Sequence, residues 1–173
     1  IFVTFGCRPE VGEPQHPAYP SFDASVEPVQ PTLPLAVDTW YSSSGYMGDG
    51  ENSGAIVDEP CGPTMRAGQR RGDCHAFNWN LVSEAWAGVF WQYPEGNWGD
   101  VEGVEGLAIE PGARSLRFHA WSQNGGETIT FGAGMAGPDG FGVEETFILT
   151  DQPTEYVIDL GDITYSNVVG GFV

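Results

Sequence analysis

The sequence predicts an all-β fold, an antiparallel β-sandwich, and three observations lead there. Short apolar runs of strand length recur between clusters of Gly, Pro, Asn and Asp, which punctuate turns. Within those runs apolar and polar residues alternate, as Leu116, Phe118 and Ala120 do with Arg117, His119 and Trp121. No segment carries the 3.6-residue period of an amphipathic helix, so no helix longer than two turns is expected. A chain of 173 residues suits one domain of moderate size and a tail.

The chain opens with Ile-Phe-Val-Thr-Phe-Gly ahead of Cys7. An apolar run closed by a small residue and then Cys resembles the end of a bacterial lipoprotein signal peptide. That resemblance makes 1–6 the end of a signal peptide and Cys7 the lipidated first residue. The competing reading is a short N-terminal strand with a buried free cysteine. Residues 7–34 hold seven prolines, several acids and few aliphatics, so they are expected to form a linker. The β-sandwich domain is expected over 35–173.

Leu35 to Tyr41 reads as a strand and Ser42 to Gly54 as a loop. Asp38, Asp49 and Glu51 offer hard oxygen ligands among glycines there, a set suited to a structural Ca²⁺. Their spacing lacks the twelve-residue EF-hand pattern, and solvated turn acids are the competing reading. Cys61 and Cys74 then bracket a polar loop rich in Gly, Pro and Arg. A disulfide closing it would stabilise by roughly 3 kcal/mol in the chain-entropy picture and implies an oxidising compartment. A zinc site is the rival, but there is no CxxC pair and His75 alone does not complete a ligand set.

Cys74 to Leu81 alternates as a strand, with His75, Phe77 and Trp79 on one face. The next strand runs from Trp86 to Tyr93, and three of the six tryptophans fall between 86 and 98. Alternation places Trp86, Gly88, Phe90 and Gln92 on one face, and Ala87, Val89, Trp91 and Tyr93 on the other. Pro94 has no amide hydrogen and should end the strand or hold it at an edge. Glu95 to Asp100 has turn composition yet carries Trp98, and a large ring in such a loop needs a pocket or a ligand. Trp86 and Phe90 are expected in the core, with Trp91, Tyr93 and Trp98 available to a ligand. All five rings in the core is the competing reading.

Val101 to Glu105 is an acidic loop and Gly106 to Glu110 a short extended segment. Pro111-Gly112 turns into a strand over 113–122. Asn124-Gly-Gly126 turns again into Glu127 to Phe131, expected as the hairpin partner of that strand. Further strands are expected at Glu145–Thr150 and Glu155–Leu160, and a last one begins at Val168.

The net charge of −18 comes from 24 acidic residues against six arginines, with no lysine. Phosphate neutralisation needs clustered Lys and Arg, so nucleic acid is not an expected partner. An anionic membrane surface is disfavoured for the same reason. No apolar run reaches the roughly 18 residues of a membrane span, so membrane attachment is expected only through a lipid on Cys7. A neutral ligand or a divalent cation fits this charge.

Several phrases point to a family. Leu116-Arg-Phe-His-Ala-Trp121, Gly125-Gly-Glu-Thr-Ile-Thr-Phe131, Thr154-Glu-Tyr-Val-Ile-Asp-Leu160 and Val169-Gly-Gly-Phe172 resemble galactose-binding-like jelly rolls. These are β-sandwich modules carried by secreted glycoside hydrolases, and many bind carbohydrate without catalysis. Gly45-Tyr-Met-Gly-Asp-Gly50, Trp91-Gln-Tyr-Pro94 and Asn97-Trp-Gly-Asp100 also look like secreted or lipoprotein domains of myxobacterial type. The resemblance covers about 35–173 and implies a carbohydrate-binding module on an extracytoplasmic, secreted or outer-membrane protein. Such modules usually close with a further acidic strand after Gly-Gly-Phe. The domain is therefore expected to be truncated at its C-terminus, with an edge left unpaired and part of a calcium site lost.

Three functional readings follow. The first is a monomeric, non-catalytic module for a neutral oligo- or polysaccharide. Trp91, Tyr93 and Trp98 would stack on sugar rings, and Asn97, Arg117 and His119 would bond hydroxyls. Gln92 lies on the opposite strand face from Trp91 and Tyr93 and does not join them easily. The second is a jelly-roll glycoside hydrolase or lyase. Retaining chemistry needs two carboxyls about 5–5.5 Å apart, and adjacent acids such as Glu144 and Glu145 point to opposite faces of a strand. No nucleophile–histidine order or phosphate loop stands out either. The third is a structural or adhesive surface domain without a small ligand.

Overall fold

The computed structural model describes residues 31–48, 56–60, 74–79 and 86–173. They form a one-turn helix, α1 (Val37–Trp40), and eleven strands: β1 (Ser42–Gly48), β2 (Ile56–Pro60), β3 (His75–Trp79), β4 (Ala87–Gln92), β5 (Leu107–Ala108), β6 (Ser115–Ala120), β7 (Thr128–Ala133), β8 (Val143–Ile148), β9 (Thr154–Asp159), β10 (Asn167–Val168) and β11 (Gly170–Phe172). Every assigned strand pair is antiparallel. The all-β expectation stands, and α1 is far shorter than two turns.

β4 is the central strand. β1 pairs along one of its sides and β11 along the other, so that Gln92 faces both Ser42 and Gly170. Gly132 and Val173 exchange two backbone hydrogen bonds of 3.0 Å, and the Gly134 N–H donates to the Gly170 carbonyl. These bonds join the β7–β8 pair to the free side of β11. The Gly-Gly-Phe strand is therefore held on both sides.

Two other expectations change. Leu35 to Tyr41 is not a strand, because Val37–Trp40 make a helical turn closed by the Tyr41 N–H on the Val37 carbonyl at 2.8 Å. That turn delivers Tyr41 into the core, where its hydroxyl donates to the Val168 carbonyl at 3.0 Å. The strand instead occupies Ser42–Gly48, which reads as loop. Three serines and two glycines have little strand preference of their own, and the ladder with β4 supplies what propensity does not.

The second change is topological. β6 pairs with β9 and β7 with β8, so the turn at 124–126 does not close a β6–β7 hairpin. It carries the chain from one strand pair to the other, held by Ser122 N–H on the Thr150 carbonyl and Gly126 N–H on the Leu149 carbonyl. The apolar faces of the two strands then meet ring to ring. Phe118 of β6 lies 4.5 Å from Phe131 of β7, with Phe147, Tyr156 and Phe172 around it. Burying these rings against one another favours this crossing over a local hairpin.

The core has two centres. Tyr41, Val89, Trp91, Leu107 and Val168 form one, packed by Tyr93, Tyr165 and Phe172 among others. Ala133, Ile158 and Leu160 form the second, walled by the Phe118 group. Phe141 touches both.

Candidate ligand-binding face

The two faces of β4 are divided as alternation requires, but in the reverse sense to the expected one. Val89 and Trp91 point into the core, and Trp91 is 7% exposed. Its indole is enclosed edge-on by His75, Phe77 and Phe172, with centroids 5.3, 5.6 and 5.0 Å away. No face of that ring is open to a ligand, so Trp91 is a packing residue. Tyr93 also turns inward, meeting Tyr41 edge-on at 6.1 Å, and its N–H is bound by the Val169 carbonyl. The strand ends at Gln92, just ahead of Pro94.

The opposite face carries Trp86, Phe90 and Gln92, and glycines form its floor. A Cβ on Gly88 would stand 2.6 Å from Cε of Met47, and one on Gly45 would stand 2.7 Å from Cδ of Gln92. A Cβ on Gly170 would meet Cγ of Met135 at 2.7 Å and the Phe90 ring at 3.4 Å. Each of the three strands thus drops to a bare backbone where a neighbour's side chain lies flat across it. The groups laid over the glycines are the Met47 and Met135 side chains, the Phe90 ring and the Gln92 carboxamide. Trp86 is 50% exposed at one end of β4, and Trp98 is 37% exposed and edge-on to Phe90 at 6.1 Å. Gln92 is fully buried, with Oε1 accepting from the Ser44 hydroxyl at 3.0 Å and Nε2 lacking a partner among the described residues.

Trp98 is held up by its neighbours. Asn97 is 3% exposed; its Nδ2 donates to the Tyr93 carbonyl at 3.1 Å, and its Oδ1 accepts the Gly99 N–H at 2.8 Å. The buried amide fixes the loop and leaves the next ring outside, so Asn97 positions Trp98 and is itself buried away from a ligand. Gly99 has φ of 75°, and a Cβ there would overlap Pro138 at 2.2 Å. Only glycine lets the loop lie on that proline.

Pro138 belongs to the turn at 135–139, which is locked by a residue that sequence reading missed. Asp139 is buried, and its carboxylate accepts three backbone N–H groups: Met135 at 2.7 Å, Val169 at 2.6 Å and Gly170 at 3.0 Å. This turn sets Met135 over Gly170 and Pro138 against Gly99. The local Gly-Pro-Asp-Gly phrase signals a turn, but nothing in it says that the acid faces inward.

Between the turn and the acidic loop lies a cleft of about 290 Å³, bounded by Gly99, Pro138, Val104, Glu105, Ser166 and Asn167. It begins one residue beyond Trp98. On its wall Asn167 Nδ2 donates to Glu105 Oε2 at 2.9 Å.

The remaining expected site residues lie elsewhere. Arg117 and His119 are on β6 in the β6–β9 pair, where Arg117 forms an exposed ion pair with Glu155 at 3.4 Å. They do not share a sheet with β4, from which the Trp98 loop leads. Asp38 lies in α1, while Asp49 and Glu51 fall outside the described residues. Among the described residues no group of three or more His, Cys, Asp or Glu is placed to hold a metal ion. Cys74 is buried and disulfide-bonded. Cys61 and Cys7 lie outside the described residues. Among those described, no helix is long and apolar enough to cross a membrane.

The chain matches no family model, no curated protein and no solved structure.

Proposed function

We propose that this chain is a non-catalytic carbohydrate-binding module of the galactose-binding-like jelly-roll kind, carried by an extracytoplasmic protein. Its ligand is a neutral oligo- or polysaccharide that lies on the face bearing Trp98, Phe90 and Trp86. The observation that carries this reading is the glycine floor. Gly45, Gly88 and Gly170 keep the surface low enough for a flat ligand, and Trp98 stands beside it with an exposed ring. The apolar face of a pyranose needs such a surface, with polar groups at its margin for the hydroxyls. A net charge of −18 without lysine favours a neutral ligand over an anionic one. The disulfide at Cys74 favours an oxidising compartment, in keeping with a secreted or lipid-anchored protein.

Calorimetry against neutral polysaccharides, paired with thermal melting, tests the reading. Trp98→Ala should weaken binding about tenfold or more, or roughly 1.4 kcal/mol, and leave the melting temperature nearly unchanged. Trp91→Ala should instead cost roughly 3–5 kcal/mol of stability, because it empties a filled core site. Binding by the parent should hardly depend on salt, since neutral hydroxyls release no counterions. Repeating the titration with Ca²⁺ and with a chelator asks whether Asp38, Asp49 and Glu51 serve the fold. A parent that binds no glycan would return the domain to the structural or adhesive reading, and release of reducing sugar would make it an enzyme.

A further inference from the structure

The cleft next to Trp98 holds chemistry that the stacking face lacks. Glu105 and Asn167 meet there through one exposed side-chain hydrogen bond of 2.9 Å. Asn167 is on β10, opposite Ala108 of β5. Glu105 precedes Gly106, where a Cβ would stand 2.4 Å from the Val168 carbonyl carbon, so the acidic loop is pressed directly onto β10. The backbones that carry the pair are therefore held side by side.

Their mutual bond leaves much unused. Asn167 retains a second N–H and its carbonyl oxygen, and Glu105 retains its other carboxylate oxygen. Two adjacent sugar hydroxyls, each able to donate and accept, satisfy this set: one donates to the carboxylate while the other exchanges bonds with the amide. A volume of about 290 Å³ lies just below the usual range of ligand pockets, roughly 300–1,000 Å³, and leaves room for one sugar ring at most. Asp100 and Glu102 are exposed in the same stretch of chain as Glu105 and add negative charge near the cleft. An anionic sugar would be repelled on entry and again at Glu105.

We propose that this cleft is the hydroxyl-reading part of the glycan site. Glu105 and Asn167 are its specificity pair, and its sugar is a neutral pyranose with two adjacent free hydroxyls, acidic sugars being refused. The proposal rests on the carbohydrate reading above and adds the class of sugar to it.

The test uses the full chain with galactan, glucomannan and xylan as neutral probes and polygalacturonate as the acidic one. The parent should bind at least one neutral probe and prefer it to polygalacturonate by about tenfold or more. Glu105→Gln, which keeps shape and removes charge, and Asn167→Ala should each weaken the neutral probe by about fivefold or more. Glu105→Gln should also narrow the preference against polygalacturonate. If Asn167→Ala melts well below the parent, Glu105→Gln alone decides. Failure of the parent to bind any probe removes the carbohydrate reading and this proposal with it. Loss of binding in Trp98→Ala with parent-like binding in both cleft variants overturns this proposal alone. Equal binding of polygalacturonate and neutral probes by the parent overturns it too.

Discussion

Tyr41 shows how one side chain ties distant parts of this chain together. Its hydroxyl reaches the Val168 carbonyl, 127 residues away, and its ring packs beside Val89, Trp91 and Leu107. A Cβ on Gly171 would stand 2.7 Å from that ring, so β11 is glycine where the tyrosine passes. Burial first, then the Asp139 carboxylate and Tyr93, push the phenol well above its ordinary range. The folded state therefore keeps a proton that the unfolded chain releases near its ordinary value of 10.0. The stability that this phenol contributes is complete below that value and is lost as pH rises beyond it. Tyr41→Phe should lower stability by about 1 kcal/mol at neutral pH, since it strands a buried carbonyl. The difference from the parent should close as pH climbs from about 8 to 11, measured by denaturant titration at each pH. A constant difference across that range would show that the phenol is not held neutral by the fold.

Among the elements, the turn at 135–139 matters most to the candidate site. It is short and exposed at its tip, yet it sets Met135 and Pro138, which border the face carrying Phe90 and the cleft. Its position depends on Asp139, with Oδ2 taking the Met135 and Gly170 N–H groups and Oδ1 taking that of Val169. Asp139→Asn keeps size but retains one acceptor oxygen, so an amide NH₂ must face a backbone N–H. The variant should lose about 3 kcal/mol, as buried charged hydrogen bonds are replaced by a donor–donor contact. Urea melts check this, and a loss near zero would mean that water satisfies the freed N–H groups. Glycan binding should weaken as well, because Met135 and Pro138 would no longer be fixed.

For the whole molecule, charge and crosslinking set the conditions under which the fold persists. A chain at −18 repels itself in the compact state and gains solubility in return. The disulfide at Cys74 limits the unfolded chain and so offsets part of that repulsion. Closure of the 61–74 loop corresponds to roughly 3 kcal/mol, and reduction should lower the denaturation midpoint accordingly. Peptide mapping without reduction should recover Cys74 joined to Cys61, with Cys7 free or lipidated. Recovery of Cys74 joined to Cys7 would overturn the pairing.

What the sequence determined by itself was local. Period-two alternation marked most strands from Ala87 onward, and the Gly, Asn and Pro clusters marked their ends, because both signals depend only on near neighbours. Alternation also divided β4 correctly into two sets of residues. Which set faced inward was not legible: Trp91 and Phe90 are equally apolar, and the difference is that His75, Phe77 and Phe172 close over one of them. Tertiary pairing likewise made a strand of Ser42–Gly48, whose residues do not favour one, and drew Thr128–Ala133 to β8 and β11 instead of β6. Of the three rings expected to be available to a ligand, Trp98 is exposed and Trp91 is buried, while Trp86, expected in the core, is the most exposed tryptophan of the stretch. The glycine floor, the Asp139 latch and the Glu105–Asn167 cleft appear only in three dimensions. Each depends on at least one contact between residues 30 to 80 positions apart, a separation over which composition and periodicity carry no information about contact.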